Sequence, residues 1–294
     1  MAIFEGAGVA IVTPFFENGD VNFGKLEEYI DFQINNGTDA IIICGTTGEA
    51  STMTDDEHLE CIKVAVDRTA GRVPVIAGTG SNDTRHGINL TKRAKELGAD
   101  ATLQVTPYYN KATQNGLIEH FTAIGKSADI PMILYSVPSR TGITIQPKTV
   151  QTLAKYDFVQ GIKDATGNLS VVAEIAQLCG DDFAIYSGND DQILPVLSLG
   201  GKGVISVLSN VAPKQTHDMV KLYLDGHHQE ALRLQLDLLP LIKALFCEVN
   251  PIPAKMALNL MGMEAGPCRL PLTTLEPAHT KLLTQALIDA HLLG

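Results

Sequence analysis

Eight short, strongly apolar runs, each followed by a longer amphipathic stretch, limit what this chain can fold into. The runs cover residues 8–14 (GVAIVTP), 39–45 (DAIIICG), 74–80 (PVIAGTG), 101–107 (ATLQVTP), 131–137 (PMILYSV), 158–164 (FVQGIKD), 183–189 (FAIYSGN) and 201–207 (GKGVISV). Most are apolar along their whole length, the pattern of strands buried on both faces in a parallel sheet. The stretches between them read as helices: Leu26, Tyr29, Ile30 and Ile34 recur at helical spacing in 25–35, and Thr54-Asp55-Asp56-Glu57 opens 55–70 as a capping box with an acidic first turn. Further helices are expected over 114–127, 147–155, 170–179, 191–199 and 213–225. Gly37, Gly71 and Gly98 fall just past helix ends, where left-handed caps occur. Strand–helix units in this number imply parallel strands with right-handed crossovers, closed into a (β/α)8 barrel of the α/β class. A doubly wound open sheet is the alternative, but eight units are many for one and no GxGxxG follows the first run.

The barrel is expected to occupy residues 1–225. Beyond 226 the strand pattern stops, and 230–246, 253–261 and 277–293 read as a C-terminal helical appendage, with Pro251 and Pro253 at a break. A length of 294 residues suits this arrangement. The net charge of −11 argues against nucleic-acid or anionic-membrane partners, and no apolar run is long enough to span a bilayer. Five cysteines without CxxC spacing suggest reduced thiols in a cytoplasmic protein. The N-terminus has no basic leader, so no signal peptide is expected.

In such a barrel, active sites lie at the C-terminal ends of the strands. Those positions are rich in hydroxyls and carry two cations, Lys163 and Arg140. Lys163 stands inside a run expected to be buried. Burial disfavours an ammonium and leaves more of a lysine as the free amine, a nucleophile that condenses with ketones to imines. An ion pair with Asp164 is the other reading. Tyr135, ending the neighbouring fifth run, is either a proton shuttle or an aromatic filling the barrel top. Thr46 and Thr47 in GTTGE could bond that phenol and a carboxylate, or could serve the turn alone. Tyr108 and Tyr109 fall in an exposed loop, where an interface pair is the plain reading, and Arg140 offers a fork for a carboxylate or is a solvated loop cation. No HExxH occurs, none of the eight histidines falls at an expected strand end, and no metal or other cofactor is expected.

GTTGE (45–49), AGTGSN (77–82), VTPYYN (105–110), YSVPSRTG (135–142), GIKDATGN (161–168) and GVISVLSN (203–210), with NPIPAK (250–255) and RLPLTTL (269–275), resemble the dihydrodipicolinate synthase family of the pyruvate-dependent aldolase superfamily nearly end to end. The resemblance implies that Lys163 forms a Schiff base with pyruvate and that Tyr135, Thr46 and Tyr109 form a proton relay, Tyr109 reaching in from a neighbouring subunit. It implies that Thr47 and the Ile205 backbone hold pyruvate, and that Arg140 binds the carboxylate of L-aspartate 4-semialdehyde. The product would be 4-hydroxy-tetrahydrodipicolinate, on the way to diaminopimelate and lysine. The resemblance also implies a homotetramer built as a dimer of dimers. An allosteric lysine site would involve Ser51, His58, Asn82, His86 and Tyr108. His86 replaces the glutamate of lysine-sensitive members, so weak or absent lysine inhibition is expected. Alternatives are another pyruvate-dependent aldolase, such as N-acetylneuraminate lyase or a 2-keto-3-deoxy sugar-acid aldolase, and a non-catalytic keto-acid-binding barrel. Lys163 and Tyr135 speak against the last, and Arg140 with the paired threonines speaks for the first-named family.

Overall fold

The computed structural model describes residues 2–294. Its eight strands are β1 Gly6–Ala10, β2 Ala40–Ile43, β3 Val75–Gly78, β4 Ala101–Val105, β5 Met132–Ser136, β6 Val159–Asp164, β7 Ala184–Ser187 and β8 Gly203–Ser206. All are parallel, and they close in sequence order, with β1 paired to both β2 and β8. The helices are α1 Phe23–Asn35, α2 Asp55–Thr69, α3 Thr84–Glu96, α4 Gln114–Ala128, α5 Pro138–Thr141, α6 Pro147–Leu153, α7 Leu169–Cys179, α8 Ile193–Ser198, α9 Pro213–Leu224, α10 His228–Leu245, α11 Ile252–Leu260 and α12 Pro277–Asp289.

The strands are apolar on both faces because each face meets a different layer. Ala40, Ile42, Ala101, Leu103, Ile133, Tyr135, Ala184, Tyr186 and Ile205 point inward and pack together inside the barrel. Their neighbours, such as Ile41, Ile43, Met132, Leu134 and Ile185, pack outward beneath the helices. This alternation follows from the two-residue repeat of a strand. The Phe4 ring stacks on Tyr186 at 4.4 Å, and the Tyr186 hydroxyl donates to the Phe4 carbonyl at 2.8 Å, which ties the N-terminal segment to the seventh strand.

Local chemistry sets the helix ends. Thr54 and Glu57 complete the expected capping box at the start of α2. Gly37, Gly71 and Gly98 adopt positive φ of 88°, 72° and 93° just past helix ends. Two details differ from the sequence expectation. β1 begins and ends earlier than the apolar run: Gly6 already pairs with Gly203 of β8, and past the strand's end Thr13 donates to the Gly48 carbonyl at 2.8 Å. The helix of the seventh unit, expected over 191–199, is broken: a 3-10 turn, Asp190–Gln192, precedes α8. Leu238, Leu241 and Leu245 of α10, Ala257 and Leu258 of α11, and Leu283 and Leu287 of α12 share one apolar cluster with Val9, Ile11 and Ile41 of the barrel. The C-terminal helices thus lie on the barrel and bring residues 246–250 to its mouth.

Candidate active site

Tyr135 of β5 and Lys163 of β6 are direct register partners on adjacent parallel strands. Both are therefore presented to the barrel mouth together. The Lys163 ammonium lies 4.4 Å from the Tyr135 ring centroid, and the lysine is 5% exposed. Asp164 does not pair with it. Its Oδ1 instead accepts from the Thr166 N–H at 3.0 Å and the Thr166 hydroxyl at 2.7 Å. Burial pushes the Asp164 carboxyl up, against those two bonds. A Cβ at Gly188 would stand 3.1 Å from Lys163 Cε and 2.7 Å from Ala165 Cβ, so glycine leaves the lysine arm its space. Asp190 is buried nearby; its Oδ2 accepts from the Val207 and Leu208 N–H groups at 3.1 and 2.9 Å. Burial raises its carboxyl, opposed by these bonds, by Ser206 and by the charge of Lys163.

A cavity of about 210 Å³ opens above this pair, with Thr46, Thr47, Tyr135, Arg140 and Lys163 in its wall. Five positions singled out in the sequence, up to 117 residues apart, thus share one pocket. The C-terminal region adds Phe246 and Asn250 to the wall, neither of them anticipated as a site residue. Asn250 Nδ2 donates to the Thr47 hydroxyl at 3.0 Å, and its carbonyl accepts from Arg140 Nη2 at 3.0 Å. One residue thereby links the loop after β2 to α5, which carries Arg140. NPIPAK contained Asn250, but nothing in the chain pairs it with a loop 203 residues earlier.

Ile205 is fully buried inside the barrel and does not line this cavity. Tyr109 is also outside the pocket wall; it is 95% exposed and held at φ 70°. A bulky side chain at positive φ, aimed away from its own barrel, is an unusual way to build a loop.

The remaining positions gather beside β3. His58, on α2, is buried and its Nε2 lies 2.8 Å from the Gly78 carbonyl at the end of that strand. Burial lowers its pKa. A histidine distant from strand ends in sequence therefore meets one in space. His86 bonds Ser81 Oγ at 3.1 Å and Asp55 Oδ1 at 2.9 Å. Asn82 Nδ2 donates to the Tyr108 carbonyl at 3.1 Å, and Ser51 is exposed in the turn before α2. Among the described residues, no group of three or more His, Cys, Asp or Glu side chains could hold a metal ion, and no helix is long and apolar enough to cross a membrane.

A closed (β/α)8 barrel with a buried primary amine beside a phenol at its mouth defines a class of lysine-bearing barrel proteins. The family model of the dihydrodipicolinate synthetase family matches residues 3–290, and the chain belongs to that family. It is 63% identical to the 4-hydroxy-tetrahydrodipicolinate synthase of Lachnoclostridium phytofermentans, over 96% of this chain and 97% of the relative. The dihydrodipicolinate synthase of Cyanidioschyzon merolae, solved with lysine bound, superposes with a TM-score of 0.97 at 44% identity, covering all of both chains. The chloride-inhibited enzyme of Acinetobacter baumannii, solved with pyruvate, gives a TM-score of 0.96 at 43% identity, over 98% of this chain and 99% of that one.

Proposed function

We propose that this enzyme condenses pyruvate with L-aspartate 4-semialdehyde to 4-hydroxy-tetrahydrodipicolinate through a Schiff base on Lys163. The observation that carries the site assignment is the register pairing of Tyr135 with a buried Lys163 that leaves Asp164 to Thr166. The lysine amine adds to the pyruvate ketone, and water leaves as the imine forms. Loss of a methyl proton gives the enamine, whose carbon attacks the aldehyde. The amine of the adduct then displaces Lys163 by cyclising, which frees the enzyme.

Tyr135 is positioned to exchange protons at these steps. Thr46 shares its pocket, and Tyr109 completes the relay from a second subunit. Thr47 and the Ile205 backbone hold pyruvate. Arg140 keeps part of its guanidinium free beyond its bond to Asn250, enough to receive the carboxylate of the aldehyde substrate. The exposure of Tyr109 supports an oligomer, a homotetramer arranged as a dimer of dimers. Ser51, His58, Asn82, His86 and Tyr108 form a lysine-responsive site of reduced strength, since His86 already engages Asp55 and offers no carboxylate of its own. The five free cysteines suit a cytoplasmic enzyme.

Assaying aldol product from pyruvate with L-aspartate 4-semialdehyde, and cleavage of N-acetylneuraminate and 2-keto-3-deoxy sugar acids, tests the reading. Turnover of the semialdehyde alone is expected; faster cleavage of a sugar acid would replace it with the related aldolase reading.

A further inference from the structure

Three sequence motifs contain charged residues that the proposed reaction does not use: Glu49 closes GTTGE, Lys255 closes NPIPAK and Arg269 opens RLPLTTL. In the fold they meet. Lys255 Nζ lies 2.9 Å from Glu49 Oε1, with the two side chains only 2% and 1% exposed. The same ammonium donates to the Pro267 carbonyl at 2.6 Å and sits 4.0 Å from the Phe15 ring centroid. The other Glu49 oxygen accepts from the Arg269 N–H at 2.9 Å. The Arg269 side chain donates to the carbonyls of Gly19 and Thr52, both at 2.8 Å, and to Glu57 at the start of α2 at 2.9 Å.

Such a pair is a poor device for stability alone, because two buried charges of this kind are often replaced by apolar residues without loss. It is a good device for geometry. Glu49 stands at φ 55°, a left-handed conformation that persists in an L-residue only when its surroundings hold it. Its N–H donates to the Thr46 carbonyl at 3.1 Å, closing the turn that carries Thr46 and Thr47. On the other side, Lys255 belongs to α11, and Asn250, two residues before that helix, donates to the Thr47 hydroxyl. The loop is therefore gripped by its backbone turn, by its carboxylate and by a pocket-facing hydroxyl, each time through residues that share these contacts.

We propose that Glu49, Lys255 and Arg269 form a positioning clamp by which the C-terminal segment fixes the Thr46–Thr47 loop over Lys163. The clamp rests on the reading above, in which those threonines face pyruvate and its imine. None of the three touches substrate; each acts through the loop.

Lys255→Met removes the cation and leaves a buried carboxylate, so it is expected to lower both the melting temperature and kcat/KM for pyruvate. Adding Glu49→Gln removes the stranded charge. The double variant should regain melting temperature yet keep a loss in kcat/KM of roughly 10- to 100-fold, the scale of a small misplacement in a catalytic site. A double variant with kcat and pyruvate KM like those of the parent would overturn the clamp. If neither variant folds, Arg269→Lys carries the test. It keeps the backbone N–H to Glu49 but loses the fork on Thr52 and Glu57, and should raise pyruvate KM about threefold; an unchanged KM overturns the proposal. Reductive trapping of pyruvate on the parent separates the two levels. No adduct there sinks the reaction reading, whereas an adduct with kinetically silent variants sinks the clamp alone.

Discussion

Two loops on the same rim of the barrel are built in opposite ways. The loop after β2 is sealed: Thr47 and Glu49 are buried, and their partners lie in the C-terminal segment of the same chain. The loop after β4 is anchored at its start, where Thr106 donates to the Thr141 hydroxyl, but is open at its tip: Tyr109 stands 95% exposed at positive φ, and its neighbours are held by Asn82 on the Tyr108 carbonyl and Asn110 on the Asn82 carbonyl. One loop is completed from within. The other leaves its main side chain in the open. The difference separates a loop the chain completes by itself from one whose proposed role calls for a second copy.

The sharpest way to break this comparison is complementation. Lys163→Ala should abolish imine formation, and Tyr109→Phe should lose most turnover. If Tyr109 serves a neighbour's lysine, mixing and reassembling the two variants should restore activity that neither has alone. Parent-like activity for Tyr109→Phe, or no recovery on mixing, would mean that the open loop is not part of the site.

At the barrel mouth between the two loops, Tyr135→Phe should leave pyruvate binding largely intact and slow turnover by roughly 10²–10⁴-fold. Equal rates for variant and parent would return Tyr135 to a packing role.

Acid should separate the two sides of the barrel. His120 on α4 bonds Thr84 of α3 at 2.9 Å beneath the open loop, and burial lowers its pKa to about 4 from an ordinary 6.5. The unfolded chain binds this proton first, so stability falls as pH drops from 6.5 toward 4, by up to about 3 kcal/mol. On the sealed side, Arg269 holds the Glu57 carboxyl at about 2. The stability from that pair is present above the ordinary carboxylate range and is lost only as pH falls toward 2. As pH falls, hydrogen exchange should therefore speed up around His120 in α3 and α4, and around His58 in α2, whose pKa burial also lowers, before the Glu57–Arg269 contact opens. The reverse order would contradict the assignment.

The smallest effect is expected from lysine. Replacing a carboxylate by His86 removes a charge-assisted hydrogen bond of about 1.5–3 kcal/mol. Half-inhibition by lysine below millimolar levels would contradict the expectation of weak inhibition.

Much of this architecture was legible in the sequence. Strands apolar on both faces, caps at Thr54 and positive-φ glycines are local signals, and they placed all eight strands within a few residues. Lys163, Tyr135, Arg140 and the threonines were legible because a barrel brings consecutive strand ends to one rim. Phe246 and Asn250 were not, because their place depends on how α10 and α11 return across the mouth, a long-range contact with no periodicity. The Ile205 side chain packs inside the barrel, as the two-residue alternation of β8 dictates, so the role the resemblance implies for this residue rests on its backbone alone. The Glu49–Lys255 pair was likewise invisible: a charged residue in a motif does not announce that it will be buried against another 206 residues away.

The central claim is that Lys163 is the nucleophile. Incubating the protein with pyruvate, reducing with borohydride and mapping the adduct by peptide mass spectrometry tests it most directly. The account predicts a reduced pyruvyl group on Lys163 and none on Lys255, which is committed to Glu49. Folded, oligomeric protein that traps no pyruvate, or traps it on another lysine, would contradict it.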